Sequence, residues 1–500
     1  PAPPTDGGQQ IAVASYIHPL ADPDAWERLL RYPNNKLSVL IANVVNGPDA
    51  TVNQDWKTVI ASASAKGKRV IGYVRTGYLG VSQQQFKTRL GSTDLADWTA
   101  QIEQDVDMWY KLYPGNMGGI FFDEGWNDCG PNNVYSELYR RISDNTKRKY
   151  PGAYTVLNPG ATMPKCFEDS ADTLMTFESS YETYTTSYIP NDWAAADSRK
   201  LWHIVYNVPK SEVGRVAALA KARGAGMLQI TNDVMPNPYD NLPDDAYMQD
   251  HINAVVGGEP MIAGIPSAAG GPAASTPGGL QVTGSEYTSV TLSWSRAANA
   301  IGYRVYQNDQ LILSLSADMT RVTLGNLSPG TSGYTFYVTA EGGDGKESSK
   351  SNSVSASTKT PPSPGKYVFN MKVSVAAAST VYSADIVIPY AFIRVYVWDS
   401  DVACNFTTDP GWPVNFAVAN YVCTHYMVEG QVLYKYSGTV PPGTVNVPWA
   451  WSGVGSVGVE QNGYTFTWNI PLGMPSTDTR NFLIQTEGYG PRANVFQPCP

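Results

Sequence analysis

The chain of 500 residues is too long for one hydrophobic core and suits two to four domains. Charged residues make up 16%, against roughly 25% in an average soluble domain, with 45 Gly, 36 Pro, 31 Tyr and 13 Trp in their place. The net charge of −9 comes without any Lys/Arg run, which argues against nucleic-acid and anionic-membrane partners, since both need a basic face.

The sequence opens Pro1-Ala2-Pro3-Pro4, read as a mature N-terminus left after removal of a secretion signal. Eight short apolar runs follow: Ile11–Tyr16, Ser38–Ala42, Arg69–Val74, Gly118–Phe122, Ala153–Leu157, Thr173–Phe177, Leu201–Tyr206 and Gly226–Thr231. They are continuous rather than alternating, as expected for parallel strands buried on both faces. Between them lie helical patterns. Leu95, Trp98, Ile102, Val106 and Trp109 recur at steps of three and four behind a capping Asp94, and Val213, Val216, Ala217 and Ala220 form a shorter stripe. Eight such units over residues 8–258 predict a (β/α)8 TIM barrel; an open doubly wound sheet is the competitor, and no G-x-G-x-x-G string in this region supports it.

Residues 259–277 are small and Pro/Gly-rich without cation runs, the composition of a flexible linker. Residues 278–360 carry alternating runs at Val290–Trp294, Gly302–Tyr306 and Tyr334–Ala340, a β-sandwich pattern. A second break, Lys359-Thr-Pro-Pro-Ser-Pro-Gly365, leads to residues 366–500, also strand-rich and expected to form a β-sandwich. There Gly453-Val-Gly-Ser-Val-Gly458 fits the dinucleotide string but lacks a βαβ setting, so it reads as a glycine-rich loop. Trp412, Trp449 and Trp451 stand in Pro/Gly-rich surroundings that suggest loop tryptophans, suited to carbohydrate binding or to packing. Of five cysteines, position along the chain favours Cys129–Cys166 and Cys404–Cys423, with Cys499 left over; spacing leaves connectivity open. Asn326-Leu-Ser and Asn405-Phe-Thr are glycosylation sequons.

In a barrel the chemistry sits at the C-terminal ends of the strands. Read there, the chain offers Tyr16 and His18, then Asn43, then Tyr73 and Tyr78, then Asp123, Glu124 and Trp126, then Asn158, Glu178, His203, Asp233 and Tyr239. Flat rings suit apolar sugar faces, and amides and acids suit hydroxyls. Glycoside cleavage needs one carboxyl to protonate the leaving oxygen and another to attack or to activate water; Asp123 or Glu124, with Glu178, can face each other across the mouth. The alternative is that Asp123 and Glu124 only cap the next helix. His is scarce (four residues) and no serine nucleophile elbow is present, so a hydrolase triad is disfavoured. The acids lack metal-ligand companions, and neither metal nor cofactor is expected.

Five motifs together resemble the spherulin-4 family: Tyr16-Ile-His-Pro-Leu20, Asn43-x-x-Asn46-Gly47-Pro48, Gly72-Tyr-Val-Arg-Thr-Gly-Tyr78, Gly119-Ile-Phe-Phe-Asp-Glu124 and Asn237-Pro-Tyr-Asp-Asn-Leu-Pro243. The resemblance implies a secreted barrel glycoside hydrolase that cleaves α-1,4-linked N-acetylgalactosamine internally in galactosaminogalactan, a biofilm polysaccharide. It implies catalytic acids at Asp123, Glu124 and Glu178. By analogy with barrel α-galactoside hydrolases, Asp123 is expected as nucleophile and Glu178 as general acid/base, in a retaining reaction. The middle segment resembles a fibronectin type III module through Trp294, Tyr303, Leu327, Tyr334 and Ala340. Its Leu327-Ser-Pro-Gly-Thr-Ser-Gly-Tyr334 resembles the tyrosine corner with one extra residue. The expected partner is therefore a polysaccharide, bound by a monomer. The competing expectations are a cell-wall lectin that has lost turnover and a hydrolase of another α-glycan.

Overall fold

The computed structural model describes residues 8–268, 270–362, 367–375, 378–387, 392–397, 426–436, 451–472, 482–487 and 493–497. Eight parallel strands close into a barrel in chain order: β1 (Gln10–Val13), β2 (Leu37–Ala42), β3 (Arg69–Arg75), β4 (Gly119–Asp123), β5 (Tyr154–Leu157), β6 (Thr173–Ser180), β7 (Leu201–Tyr206) and β8 (Met227–Ile230). Helices α1 (Pro23–Arg31), α2 (Gln54–Ala65), α3 (Leu95–Leu112), α4 (Val134–Lys149), α5 (Tyr181–Thr186), α6 (Val213–Ala222) and α7 (Asp245–Ala254) connect or follow them. The predicted barrel is present and the open sheet is not.

Strand residues divide between two cores, as burial on both faces requires. Ala12, Val39, Ile41, Ile71, Phe121, Val156, Met175, Trp202 and Ile204 fill the barrel interior. Their neighbours Ile11, Val13, Leu40, Val70, Val74, Phe122, Phe177 and Val205 pack outward with the helices. Asp94 caps α3 by accepting from the Ala96 N–H at 2.8 Å, and Trp98 and Trp109 are fully buried. These two indoles need glycine opposite them. A Cβ on Gly72 would lie 2.6 Å from the Trp109 ring, and one on Gly77 (φ +55°) 2.2 Å from Trp98.

Beyond the barrel, β9 (Gly278–Ser285), β10 (Val290–Ser295) and β13 (Arg321–Leu324) form one sheet, and β11 (Ala300–Gln307), β12 (Gln310–Ser316), β14 (Tyr334–Gly342) and β15 (Val354–Ala356) the other. Trp294 and Tyr303 lie in the core between them. The corner closes despite its extra residue: the Tyr334 hydroxyl accepts from the Ser328 N–H at 3.0 Å. This sandwich leans on α3 and α4. Thr323 N–H donates to Asp97 at 2.7 Å and Ser314 N–H to the fully buried Glu103 at 2.8 Å. Arg141 pairs with Glu341 at 2.9 Å. Among its described residues the connecting segment has no helix or strand, and it is tied at both ends, Ala263 N–H to Asp172 at 2.9 Å and Ser275 N–H to the Ala298 carbonyl at 2.9 Å.

In the third region β16 (Val368–Val375), β17 (Thr380–Ile386), β22 (Gly458–Asn462) and β23 (Thr465–Ile470) make one antiparallel sheet. The other contains β18 (Phe392–Val397), β19 (Tyr426–Glu429), β20 (Val432–Tyr436), β21 (Trp451–Ser456), β24 (Phe482–Glu487) and β25 (Ala493–Gln497). Two expectations are corrected here. The glycine string is strand, most of it in β21 and β22, paired with β20 and β23. Trp451 opens β21 only 5% exposed, against Tyr396, and is no loop platform. Its ring is covered by a neighbour from its own sheet, since β21 and β18 belong to the same six-stranded sheet. Trp412, Trp449, Cys404, Cys423, Cys499 and Asn405 lie outside the described residues. Cys129 and Cys166 are disulfide-bonded. Among the described residues no helix is long and apolar enough to cross a membrane.

Candidate active site

Asp123 is the last residue of β4, two beyond the interior Phe121, so alternation aims it into the barrel mouth. Its Oδ2 accepts from the Tyr73 hydroxyl at 2.5 Å and its Oδ1 from Asn158 Nδ2 at 2.9 Å. Tyr73 comes from β3 and Asn158 from the end of β5, so three consecutive strands hold one carboxylate.

Glu178 reaches the same space by a different route. Met175 faces the interior, and simple alternation would then turn Phe177 inward and Glu178 out toward the helices. The β6–β7 register instead slips between Met175 and Phe177: Met175 pairs with Trp202, Phe177 with His203 and Glu178 with Ile204. The extra residue, Thr176, inverts the alternation, and Phe177 joins the outer core while Glu178 enters the mouth. There Asn158 and Tyr239 favour its charged form while the charge of Asp123 opposes it.

Burial dominates the electrostatics of both acids. Desolvation pushes the Asp123 carboxyl up to about 6, opposed by hydrogen bonds from Tyr73, the Glu124 N–H and Asn158. Desolvation, reinforced by Asp123, pushes Glu178 up to about 7. Tyr16, also held well above its ordinary value by burial and by the two acids, stands edge-on to Tyr73 and Tyr239 with centroids 5.7 and 5.9 Å away. Tyr16, Tyr73 and Tyr239 thus form an aromatic wall around the acids. Tyr78 and Trp126, centroids 6.5 Å apart, stand beside it, and burial together with Glu124, Asp123 and Glu178 raises the Tyr78 hydroxyl.

Glu124 is separated from this pair by its backbone. It adopts a left-handed φ of 52°, which breaks the strand and lets its carboxylate form an ion pair with Arg75. Arg75 in turn lies over the Phe86 ring at 5.1 Å. The Glu124 carbonyl accepts from the Tyr78 N–H at 2.8 Å, pinning the β3 loop to the β4 end.

The remaining predicted residues separate into loop braces and outliers. Asn43 Oδ1 accepts from the Gly47 N–H at 3.0 Å and shapes the turn after β2. Asp233 accepts from Asn241 Nδ2 at 2.6 Å and the Val234 N–H at 2.8 Å, bracing the loop that carries Tyr239. His18 turns to α2, its ring 6.4 Å from that of Trp56, and its Nδ1 accepts from the Leu20 N–H at 3.2 Å. Burial lowers its proton affinity against the pull of Asp55, and the acid pair takes no part in that shift. His203 is a correction. It is fully buried outside the barrel wall, bonded to the Tyr184 hydroxyl at 2.7 Å and enclosed by Phe177 and Tyr188. Burial lowers it to about 3, so it is a neutral core residue and not a substrate contact. On β7, Trp202 and Ile204 face inward and leave His203 facing out. Tyr206, beyond them at the strand end and electrostatically coupled to Tyr239, is a mouth residue that the sequence reading did not single out. Two steps from Ile204 along β7, it could have been found by parity. Among the described residues no cluster of three or more His, Cys, Asp and Glu side chains is arranged to hold a metal ion.

Residues 10–255 match the family described as Spherulation-specific family 4, and residues 275–357 match the fibronectin type III domain. A poly(3-hydroxybutyrate) depolymerase of Ralstonia pickettii is 44% identical over 90 residues, 18% of this chain and 18% of that protein. Chitinase A1 of Niallia circulans is 38% identical over 93 residues, 18% of this chain and 13% of that protein. The chain thus spans less than a fifth of the length of these curated relatives. Among solved structures, Aspergillus clavatus Sph3 in complex with GalNAc aligns with 50% of this chain and 98% of its own at 20% identity and a TM-score of 0.38.

Proposed function

With residues 10–255 a Spherulation-specific family 4 domain and residues 275–357 a fibronectin type III domain, we propose that the chain is a secreted, endo-acting glycoside hydrolase. Its substrate is an α-1,4-linked N-acetylgalactosamine or galactosamine polysaccharide of the galactosaminogalactan type. The observation that carries the reaction class is the pair Asp123 and Glu178, at the mouth ends of β4 and β6, with Asn158 of the intervening strand end bonded to Asp123 and acting on Glu178. Two carboxyls of unequal proton affinity inside a tyrosine-lined cleft are what acid-assisted glycoside cleavage requires. The glycan itself rests on the five spherulin-4 motifs. The Cys129–Cys166 bond supports an oxidising, extracellular setting.

Asp123, which accepts hydrogen bonds from Tyr73 and Asn158 that favour its charged form, is the nucleophile at the anomeric carbon. Glu178, with the higher proton affinity, protonates the departing oxygen and then takes a proton from the water that releases the glycosyl-enzyme. An amide bonded to Asp123 and acting on Glu178 supports the closer spacing of a retaining enzyme, about 5 Å, over the wider gap of an inverting one. Glu124, fixed to Arg75, orients the β3 loop and a sugar hydroxyl. Tyr16, Tyr73, Tyr78, Trp126 and Tyr239 offer ring faces to the sugars.

The test is incubation of the full chain with galactosaminogalactan and, separately, with chitin, followed by mass spectrometry of released oligosaccharides. Galactosamine-containing oligomers from the first polymer alone are expected. Tight binding with no product from either would favour a lectin, and product from chitin would move the assignment to another glycan.

A further inference from the structure

Asn158 was expected to meet a sugar hydroxyl, but its side chain is already committed. It is only 5% exposed. Its Oδ1 accepts from the Gly160 N–H at 2.7 Å, which fixes the amide's orientation, because only the oxygen can meet that donor. Nδ2 therefore faces the acids: it donates to Asp123 Oδ1 at 2.9 Å, and Glu178 lies close enough to feel the amide, the Asn158 and Glu178 side chains both standing within 4 Å of a Cβ built on Gly160. The backbone gives the residue no freedom to turn. Its N–H donates to the Phe122 carbonyl at 2.8 Å and its carbonyl accepts from the Gly125 N–H at 2.8 Å. A Cβ on Gly125 would lie 2.9 Å from that same carbonyl, so the two strand ends are in direct contact.

Resting on the acid-pair reading above, we propose that Asn158 is a positioning residue that makes the acid pair share a single negative charge and place it on Asp123. The amide presents only donors to the acids, and a donor favours an ionised carboxylate. Both acids cannot ionise together without repulsion in a desolvated site, so one charge is stabilised and one proton retained. Other groups facing the pair decide where the charge sits. Asp123 accepts directly from Tyr73 at 2.5 Å and Asn158 at 2.9 Å, whereas Asn158 and Tyr239 act on Glu178 without a direct bond of that kind among the described residues. Tyr16 and Tyr78 face the pair as neutral hydroxyls, and the Glu124 carboxylate, paired with Arg75, still favours the protonated form of Asp123. With Asn158 removed, Asp123 binds a proton more readily, and the state with one proton and one charge shrinks.

The test compares the full chain with Asn158→Ala and Asn158→Asp, reading kcat, KM and the pH profile on the polymer. A positioning role predicts that the acidic limb moves up by about half a pH unit or more and that kcat falls about tenfold, with KM little changed. A raised KM with unmoved limbs would overturn it and return Asn158 to substrate binding. Asn158→Asp keeps the shape of the side chain should the alanine variant misfold. Infrared titration of the carboxyls in wild type and Asn158→Ala reads the same proton distribution without turnover. An inactive wild type therefore counts against the hydrolase reading alone, while identical carboxyl titrations count against the role of Asn158.

Discussion

Met175 and Glu178 lie three residues apart on β6 and yet both face the barrel interior, because one inserted residue, Thr176, inverts the alternation between them. That register slip sets the acid pair. It brings Glu178 under the influence of Asp123 and sends Phe177 into the outer core beside His203. Bulges of this kind recur where a sheet has to re-aim a side chain at a site.

Asp123→Asn and Glu178→Gln should each lower turnover on polymer by about a thousandfold or more, since neither amide can act as nucleophile or proton donor. Circular dichroism and melting temperature should stay near wild type, because each replacement preserves volume. Glu124→Gln should cost less, as its carboxylate pairs with Arg75 and not with the acids. Turnover near wild type in Asp123→Asn would remove it as nucleophile.

Activity should follow a bell in pH. The working state has Asp123 ionised and Glu178 protonated. Below about 6 Asp123 takes up its proton, and above about 7 Glu178 loses its own. The profile of kcat/KM should therefore peak between those limbs and fall on both sides. A profile flat from pH 4 to 6 would contradict the burial-raised proton affinity of Asp123.

Glu103 makes the contact between the barrel and the middle domain sensitive to pH. It is fully buried, accepting from Asn145 and from the Ser314 N–H, with Lys149 3.8 Å away. Burial raises it from 4.5 to about 7. The folded state therefore holds an extra proton between those values, and stability falls as pH rises through that window. The loss is on the order of 3 kcal/mol at most. Calorimetry at pH 5 and pH 8 should show the lower transition at pH 8 in wild type. The difference should shrink in Glu103→Gln.

Gly77→Ala tests packing near the site without touching the acids. Its Cβ would lie 2.2 Å from the buried Trp98 ring at a backbone φ of +55°. Overpacking and strain together should destabilise the barrel by about 2 kcal/mol or more. A lowered melting temperature with preserved far-ultraviolet circular dichroism is expected, and unchanged melting would show that Trp98 yields easily.

Much of this molecule is legible in its sequence. Continuous β-branched runs announce parallel strands buried on both faces, the Asp94 cap and its stripe announce α3, and strand-end polarity names Asp123, Asn158, Glu178 and Tyr239 as neighbours. These features are local, and local pattern follows from period and propensity. Tertiary structure alone decides the rest. The bulge at Thr176, the left-handed turn that diverts Glu124 to Arg75, the burial of His203 and Trp451, and the bond from the Asn158 amide to Asp123 all depend on which strands pair and in what register. A one-residue change of register moves a side chain to the opposite face without leaving a mark in composition or periodicity.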